Sequence, residues 1–124
     1  YLANMDRAYS FLIFKIDDKT LLGGINVGNV RRGVAQSASL GYWVGKNHAR
    51  NGYMKEALQI LIPTLFIDLR LNRLEAATLE ENKASRNLLK KIGFKKEGVL
   101  RKYLKINGTW RDHILYGLLE DDFN

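Results

Sequence analysis

A mixed α/β domain on a mostly antiparallel sheet is predicted by three observations on this chain. A helical-period apolar stripe runs from Met54 to Leu69, strand-like runs flank it on both sides, and an Asn-Gly pair joins the last two runs. Taken in order, Phe11–Ile16 and Leu21–Val30 read as strands joined by the turn Asp17-Asp18-Lys19-Thr20. Gly23-Gly24 and Gly28 weaken the second strand and mark a bulge there. Arg31-Arg32-Gly33 is a turn, and Gln36–Val44 closes an antiparallel meander. In the helix Met54 to Leu69, the residues Met54, Ala57, Leu58, Leu61, Ile62, Leu65, Phe66 and Leu69 share one face. Pro63, the only proline, falls inside it and predicts a kink. Arg73–Leu79 is a short strand. Asn82 is the N-cap of a second helix with the apolar face Ala84, Leu88, Leu89 and Ile92, and Gly93 is its C-cap. Gly98–Ile106 and Thr109–Leu118 form a hairpin around Asn107-Gly108, which sets Tyr103 opposite Asp112 and Lys102 opposite His113.

With 124 residues, 46% of them hydrophobic, the chain holds one domain, residues 1–124, with one core. It has no cysteine, so neither disulfides nor thiolate metal sites arise; His48 and His113 are far apart, so no metal is expected. No apolar run is long enough to span a bilayer, and no signal-peptide pattern opens the chain. The expectation is a cytoplasmic protein without membrane contact. The net charge of +7 is concentrated between Lys83 and Lys105, where nine cations face one carboxylate, Glu97. Such a stretch is either a solvated face or a surface for polyanions, such as a phosphorylated cofactor or RNA.

The strongest local signal is Ala49-Arg50-Asn51-Gly52-Tyr53-Met54, where a strand, Ser39–Val44, gives way to the long helix. A helix start leaves backbone N–H groups unpaired, and the dipole's positive end adds to them, so the junction suits a pyrophosphate. A glycine here also serves a plain turn. The signal gains weight together with Asn82, Ser85 and Gly93-Phe94.

These residues carry a family resemblance. Gly41-Tyr42-Trp43-Val44-Gly45, Ala49 to Ala57, Asn72-Arg73-Leu74-Glu75-Ala76, Glu81 to Arg86, Gly93-Phe94, Glu97-Gly98 and Tyr103 to His113 together resemble the GNAT superfamily of N-acetyltransferases. Within it the chain looks most like the RimJ/RimL branch, which acetylates N-terminal amines of ribosomal proteins. The resemblance implies a GNAT-like sheet whose two central strands, here Ser39–Val44 and Arg73–Leu79, splay apart. It also implies an N-terminally truncated domain, because the family begins with a further strand and helical segment. An exposed edge strand would follow, and with it a tendency to associate.

For function, the resemblance implies transfer of acetyl from acetyl-CoA to a primary amine, expected to be the N-terminal amine of a ribosomal protein. The backbone of Tyr42, Trp43 and Val44 would pair with the cofactor's pantetheine arm, and an N–H near Val44 would face the thioester oxygen. The pyrophosphate would sit on Arg50, Asn51, Gly52, Tyr53 and Met54, with Arg50 also offering its fork to phosphate. Asn82 would cap its helix and reach the cofactor. Many members carry a tyrosine seven residues after that asparagine to protonate the leaving thiolate; Leu89 stands there, which passes the role to Ser85. Glu75 is the expected general base, with a salt bridge to Arg73 as its bland alternative, and Asp112 and His113 are the other candidates. Contact with the ribosome through the basic stretch is expected. Two alternatives stay open: acetylation of a small amine such as a polyamine or aminoglycoside, and a non-catalytic module binding acyl-CoA or RNA.

Overall fold

The computed structural model describes residues 8–45 and 52–123. Along them run β1 (Tyr9–Phe14), β2 (Leu21–Arg31), β3 (Ser37–Val44), α1 (Tyr53–Ile67), β4 (Arg73–Thr78), α2 (Lys83–Ile92), β5 (Lys95–Ile106), β6 (Thr109–Leu119) and α3 (Glu120–Phe123). The strands form one sheet in the order β1-β2-β3-β4-β6-β5. All neighbours are antiparallel except β3 and β4, which are parallel. The α/β class expected from the sequence is the observed one.

Alternation along the strands sorts the sheet into two faces. Ile25 and Val27 on β2, Ala38 and Leu40 on β3, Leu74 and Ala76 on β4, and Ile114, Tyr116 and Leu118 on β6 are buried. They pack with Met54, Leu58, Ile62, Leu65 and Phe66 of α1 and with Leu89 and Ile92 of α2 in one cluster. Full burial of one such side chain contributes about 1.5–3 kcal/mol. The other face carries Trp43, Arg73, Glu75, Ala77 and Gly117 and is only partly covered. Helix α1 runs unbroken through Pro63. It ends two residues short of the expected Leu69, and Arg70 turns the chain at φ 55°. The short α3 was not expected; its Phe123 rests against Phe66, with ring centroids 6.0 Å apart.

One sequence expectation changes in register. The irregularities of β2 fall beside its glycines, as expected: Ile13 and Phe14 pair with Gly23 and Leu21 and leave Leu22 unmatched, and the ladder with β3 shifts between Gly28 and Arg31. In the closing hairpin, Asn107 and Gly108 both have positive φ, 51° and 82°, as a two-residue turn of this kind requires. Pairing is regular from Ile106–Thr109 to Leu104–Arg111, then shifts, and Leu100 rather than Lys102 stands opposite His113. The cause is local. Lys102 adopts φ 46° and donates its N–H to Asp112 Oδ1 at 2.8 Å, so Arg101–Tyr103 bulges out of the ladder. The Tyr103 ring still meets His113, edge-on at 5.5 Å.

On the partly covered face, Arg73 ties β4 to β5 across β6. Its Nε donates to Glu75 Oε2 at 2.8 Å, and Nη1 and Nη2 donate to the two oxygens of Glu97 at 2.9 and 2.5 Å. A two-pronged guanidinium–carboxylate pair is among the stronger ionic contacts. Gly117 leaves it room: a Cβ there would collide with the Glu97 carboxylate and come within 2.7 Å of Arg73 Nη1. The Arg73 hydrogen bonds hold the Glu97 carboxyl below its ordinary value of 4.5. A depressed folded pKa gives stability that is complete above that ordinary value and lost as pH falls through the folded one. Glu97→Gln is therefore expected to unfold at lower urea concentration than the parent chain at pH 7. The gap should close as the titration moves below pH 4.5. A gap that persists undiminished at pH 2 would mean the pair contributes nothing through its charge.

Candidate active site

The site arises where β3 and β4 part. Their parallel ladder holds only at Ser37–Arg73, Ala38–Leu74 and Ser39–Glu75. Beyond it β3 continues to Val44 on β2, while β4 continues to Thr78 on β6. The wedge between them is a cleft of about 920 Å³. Gly45 N–H donates to Leu22 O at 2.7 Å, which makes Gly45 and Leu22 a hydrogen-bonded pair of the β2–β3 ladder. In an antiparallel ladder such pairs alternate, so Trp43 bonds to β2 while the backbone groups of Tyr42 and Val44 turn toward the wedge. Backbone donors and acceptors there lack their ladder partner, and a partner is what such groups require.

Both helices present N-termini to this wedge. Gly52, at φ 78°, opens α1 without a capping side chain, and Gly52, Tyr53 and Met54 line the cleft. Asn82 opens α2: its Oδ1 accepts from Ser85 N–H at 3.2 Å, the N-cap arrangement the sequence predicts. Ser85 lies in the first turn, with its hydroxyl 2.5 Å from Tyr42 Oη. Burial raises the Tyr42 phenol above its ordinary pKa, against the lowering effect of the Ser85 hydrogen bond. Leu89 is fully buried at the cleft wall. Lys55, Lys83 and Lys91 line the cleft as well.

Thus Tyr42, Trp43, Val44, Gly52, Tyr53, Met54, Asn82 and Ser85 come together around one cleft. Arg50 and Asn51, with His48, lie outside the described residues. Glu75 is not brought to it. Its side chain leaves β4 on the opposite face from Ala76, and its carboxylate is taken by Arg73. His113 lines the cleft and is buried; its Nδ1 lies 3.1 Å from the Arg111 carbonyl. A carbonyl only accepts, so the Nδ1 that faces it is a donor. The sequence reading missed the Tyr42 hydroxyl, since it assigned that residue only a backbone role. The alternation Ala38, Leu40, Tyr42 would have pointed the ring toward the helices. Among the described residues, no group of three His, Cys, Asp or Glu side chains is arranged to hold a metal ion, and no helix is long and apolar enough to cross a membrane.

A model of the family described as acetyltransferase (GNAT) domain matches residues 1–95. The probable N-acetyltransferase YjcK of Bacillus subtilis (strain 168) is 39% identical over 117 residues, 94% of this chain and 65% of that protein. The ribosomal protein uS5-alanine N-acetyltransferase of Escherichia coli (strain K12) is 38% identical over 116 residues, 94% of this chain and 60% of that protein. Among solved structures, Mycobacterium smegmatis RimJ in complex with CoA-disulfide superposes with a TM-score of 0.87. It is 36% identical, and the match covers 93% of this chain and 54% of that one. The chain spans 60 to 65% of the length of these two curated relatives.

The cleft's β3 wall depends on two glycines of β2. A Cβ on Gly23 would strike the Trp43 carbonyl oxygen and stand 3.1 Å from Val44 Cα; one on Gly24 would stand 2.6 Å from the Trp43 indole nitrogen. Backbone cannot give as a side chain can, so Gly23→Ala is expected to cost about 1–3 kcal/mol in urea unfolding. Gly24→Ala should chiefly displace the indole, read as a shift in Trp43 emission in a Trp110→Phe background. Equal stability of Gly23→Ala and parent would show that β3 shifts freely at the wedge.

Proposed function

We propose, from the premise that this chain belongs to the acetyltransferase (GNAT) domain family, that it transfers acetyl from acetyl-CoA to a primary amine, the N-terminal amine of a ribosomal protein. The observation that carries this reading is the wedge between β3 and β4, with ladder-less backbone groups on one wall and two helix N-termini at its end. That arrangement fits an extended chain of amides ending in phosphates. The backbone of Tyr42 and Val44 would pair with the amides, and a Val44-side N–H would face the thioester oxygen. The first turn of α1, entered through Arg50, Asn51 and Gly52, would hold the pyrophosphate through N–H groups and dipole. Lys83 and Lys91 add charge at the rim. Asn82 would hold α2 in place and reach the cofactor.

When bound, acetyl-CoA supplies the acetyl group as a thioester, whose sulfur departs as the thiol. Ser85, which lines the cleft, would donate a hydrogen to that sulfur, since the position of the usual tyrosine is Leu89. The amine must be neutral to attack. His113, which lines the cleft, is a better placed base than Glu75, whose carboxylate Arg73 holds. The acceptor class follows the relatives: the one at 38% identity is named for the alanine of ribosomal protein uS5. The cations Lys90, Lys95, Lys96, Arg101, Lys102 and Lys105 are exposed, and they would draw the chain toward ribosomal RNA. An aqueous compartment shared with ribosomes, the cytoplasm, goes with this reading.

Calorimetric titration with acetyl-CoA and with dephospho-CoA tests the cofactor. Micromolar binding that weakens without the 3′-phosphate is expected, and Asn82→Ala should weaken it further. Mass spectrometry of mixed acceptors then tests the amine. Acetylation of a peptide that begins with the alanine end of uS5, in preference to spermidine, is expected. Preference for spermidine would reverse the acceptor assignment, and absence of binding by the folded chain would remove the cofactor.

A further inference from the structure

Tyr42 stands at the cleft with a hydroxyl that the reaction as described leaves unused. Its Oη is 2.5 Å from Ser85 Oγ and 3.5 Å from the Ser85 carbonyl. Each hydroxyl has one hydrogen to give. If Ser85 gave its hydrogen to Tyr42, none would remain for the cleft. The phenol, however, is the more acidic hydroxyl and so the better donor. Its second possible acceptor, the Ser85 carbonyl, is at the outer limit of hydrogen-bonding distance. The Tyr42 hydrogen therefore goes to Ser85 Oγ, and the Ser85 hydrogen is left to point into the cleft.

The surroundings keep this arrangement in one state. Ser85 is fixed through its own N–H, which donates to Asn82 Oδ1 at 3.2 Å, so the Oγ is held by an anchored helix turn. Tyr42 is fixed through its strand, paired with Ile25 of β2. Burial disfavours the phenolate and keeps the phenol protonated; the neighbouring Tyr116 acts in the same direction. Tyr116 itself is fully buried, and its hydroxyl has no partner among the described residues, so this pocket holds no further acceptor that the structure shows engaged.

We propose that Tyr42 is a positioning residue: its hydroxyl donates to Ser85 Oγ and thereby aims the Ser85 hydrogen at the sulfur of CoA in the cleft. The proposal rests on the reading of Ser85 as the donor to that sulfur. Ser85 alone touches the sulfur, and Tyr42 acts through it. A hydroxyl whose oxygen already accepts a hydrogen bond is also the stronger donor, because chained hydrogen bonds polarise one another.

The test uses CoA itself, whose thiol is the departing group, and needs no acceptor. The ionisation of the bound thiol is followed by the 13C shift of the labelled carbon next to sulfur, across pH, for the parent chain, Tyr42→Phe, Ser85→Ala and the double variant. Circular dichroism and CoA affinity within about twofold of parent show that Tyr42→Phe keeps the fold and the site. The bound thiol of the parent is expected to ionise about one pH unit below free CoA, tenfold in acidity. Tyr42→Phe should abolish most of that difference, Ser85→Ala all of it, and the double variant should match Ser85→Ala. A Tyr42→Phe curve identical to parent, with Ser85→Ala shifted, would overturn the positioning role and leave Ser85 as donor. Independent, additive losses would overturn it too, since Tyr42 would then act on the sulfur directly. A parent curve equal to that of free CoA and indifferent to Ser85→Ala would remove Ser85 as donor and the inference with it.

Discussion

The three-residue parallel ladder between β3 and β4 is the constraint on which the molecule turns. Each strand is continuous past the point of separation, because each has a second neighbour that holds it: β2 for β3, β6 for β4. The sheet is thereby kept whole at both margins and opened in the middle. An opened sheet exposes backbone dipoles in a fixed row, and fixed dipoles need no reorganisation to meet a ligand's amides. The same separation gives the start of α1, at Gly52 to Met54, and the start of α2 access to one space.

What keeps the wedge from closing is packing on each side of it. On the helix face, Leu58 and Ile62 of α1 and Leu89 of α2 fill the space beneath, with no exposure. On the β3 side, Gly23 and Gly24 let β2 lie against the backbone and indole of Trp43 with no Cβ between them. On the β4 side, Arg73 binds β4 to β5 across β6 through Glu97. Removal of any of these would let a strand shift by a distance that is small for the fold and large for a hydrogen bond.

Much of this was legible in the chain because the physics behind it is local. The stripe from Met54 to Leu69 has one periodicity, and it became one helix. Asn82 before an apolar stripe needs only a nearby N–H to act as a cap, and it caps. Asn107-Gly108 asks for positive φ at two residues, and has it. The failures are cases where a distant group decided. Lys102 left the hairpin ladder because the Asp112 carboxylate captured its N–H, a contact that no counting of residues from the turn reveals. Glu75 reads as a carboxylate on the right strand, yet alternation turns it to the face where Arg73 waits. The Tyr42 hydroxyl was hidden for the same reason: its partner Ser85 lies 43 residues away, and only the wedge brings them together.

Part of the basic stretch reaches the cleft, at Lys83 and Lys91, and the rest lies away from it, which bears on how the two kinds of attraction divide the work. Lys90 of α2 and Lys95, Lys96, Arg101, Lys102 and Lys105 of β5 are exposed at the surface, where screening confines their reach to about 8–10 Å at physiological salt. Such charges raise the rate of encounter with a polyanion more than they hold it. The cleft walls, by contrast, offer hydroxyls, an amide and backbone groups, with lysines at the rim. Neutral dipoles in a partly dry wedge are poorly screened and strongly directional, so they determine orientation at the reacting end. A ligand with phosphates at one end and a neutral thioester at the other matches that division of the surface along its length. This match, more than the net charge of +7, is what supports acetyl transfer as the function we propose.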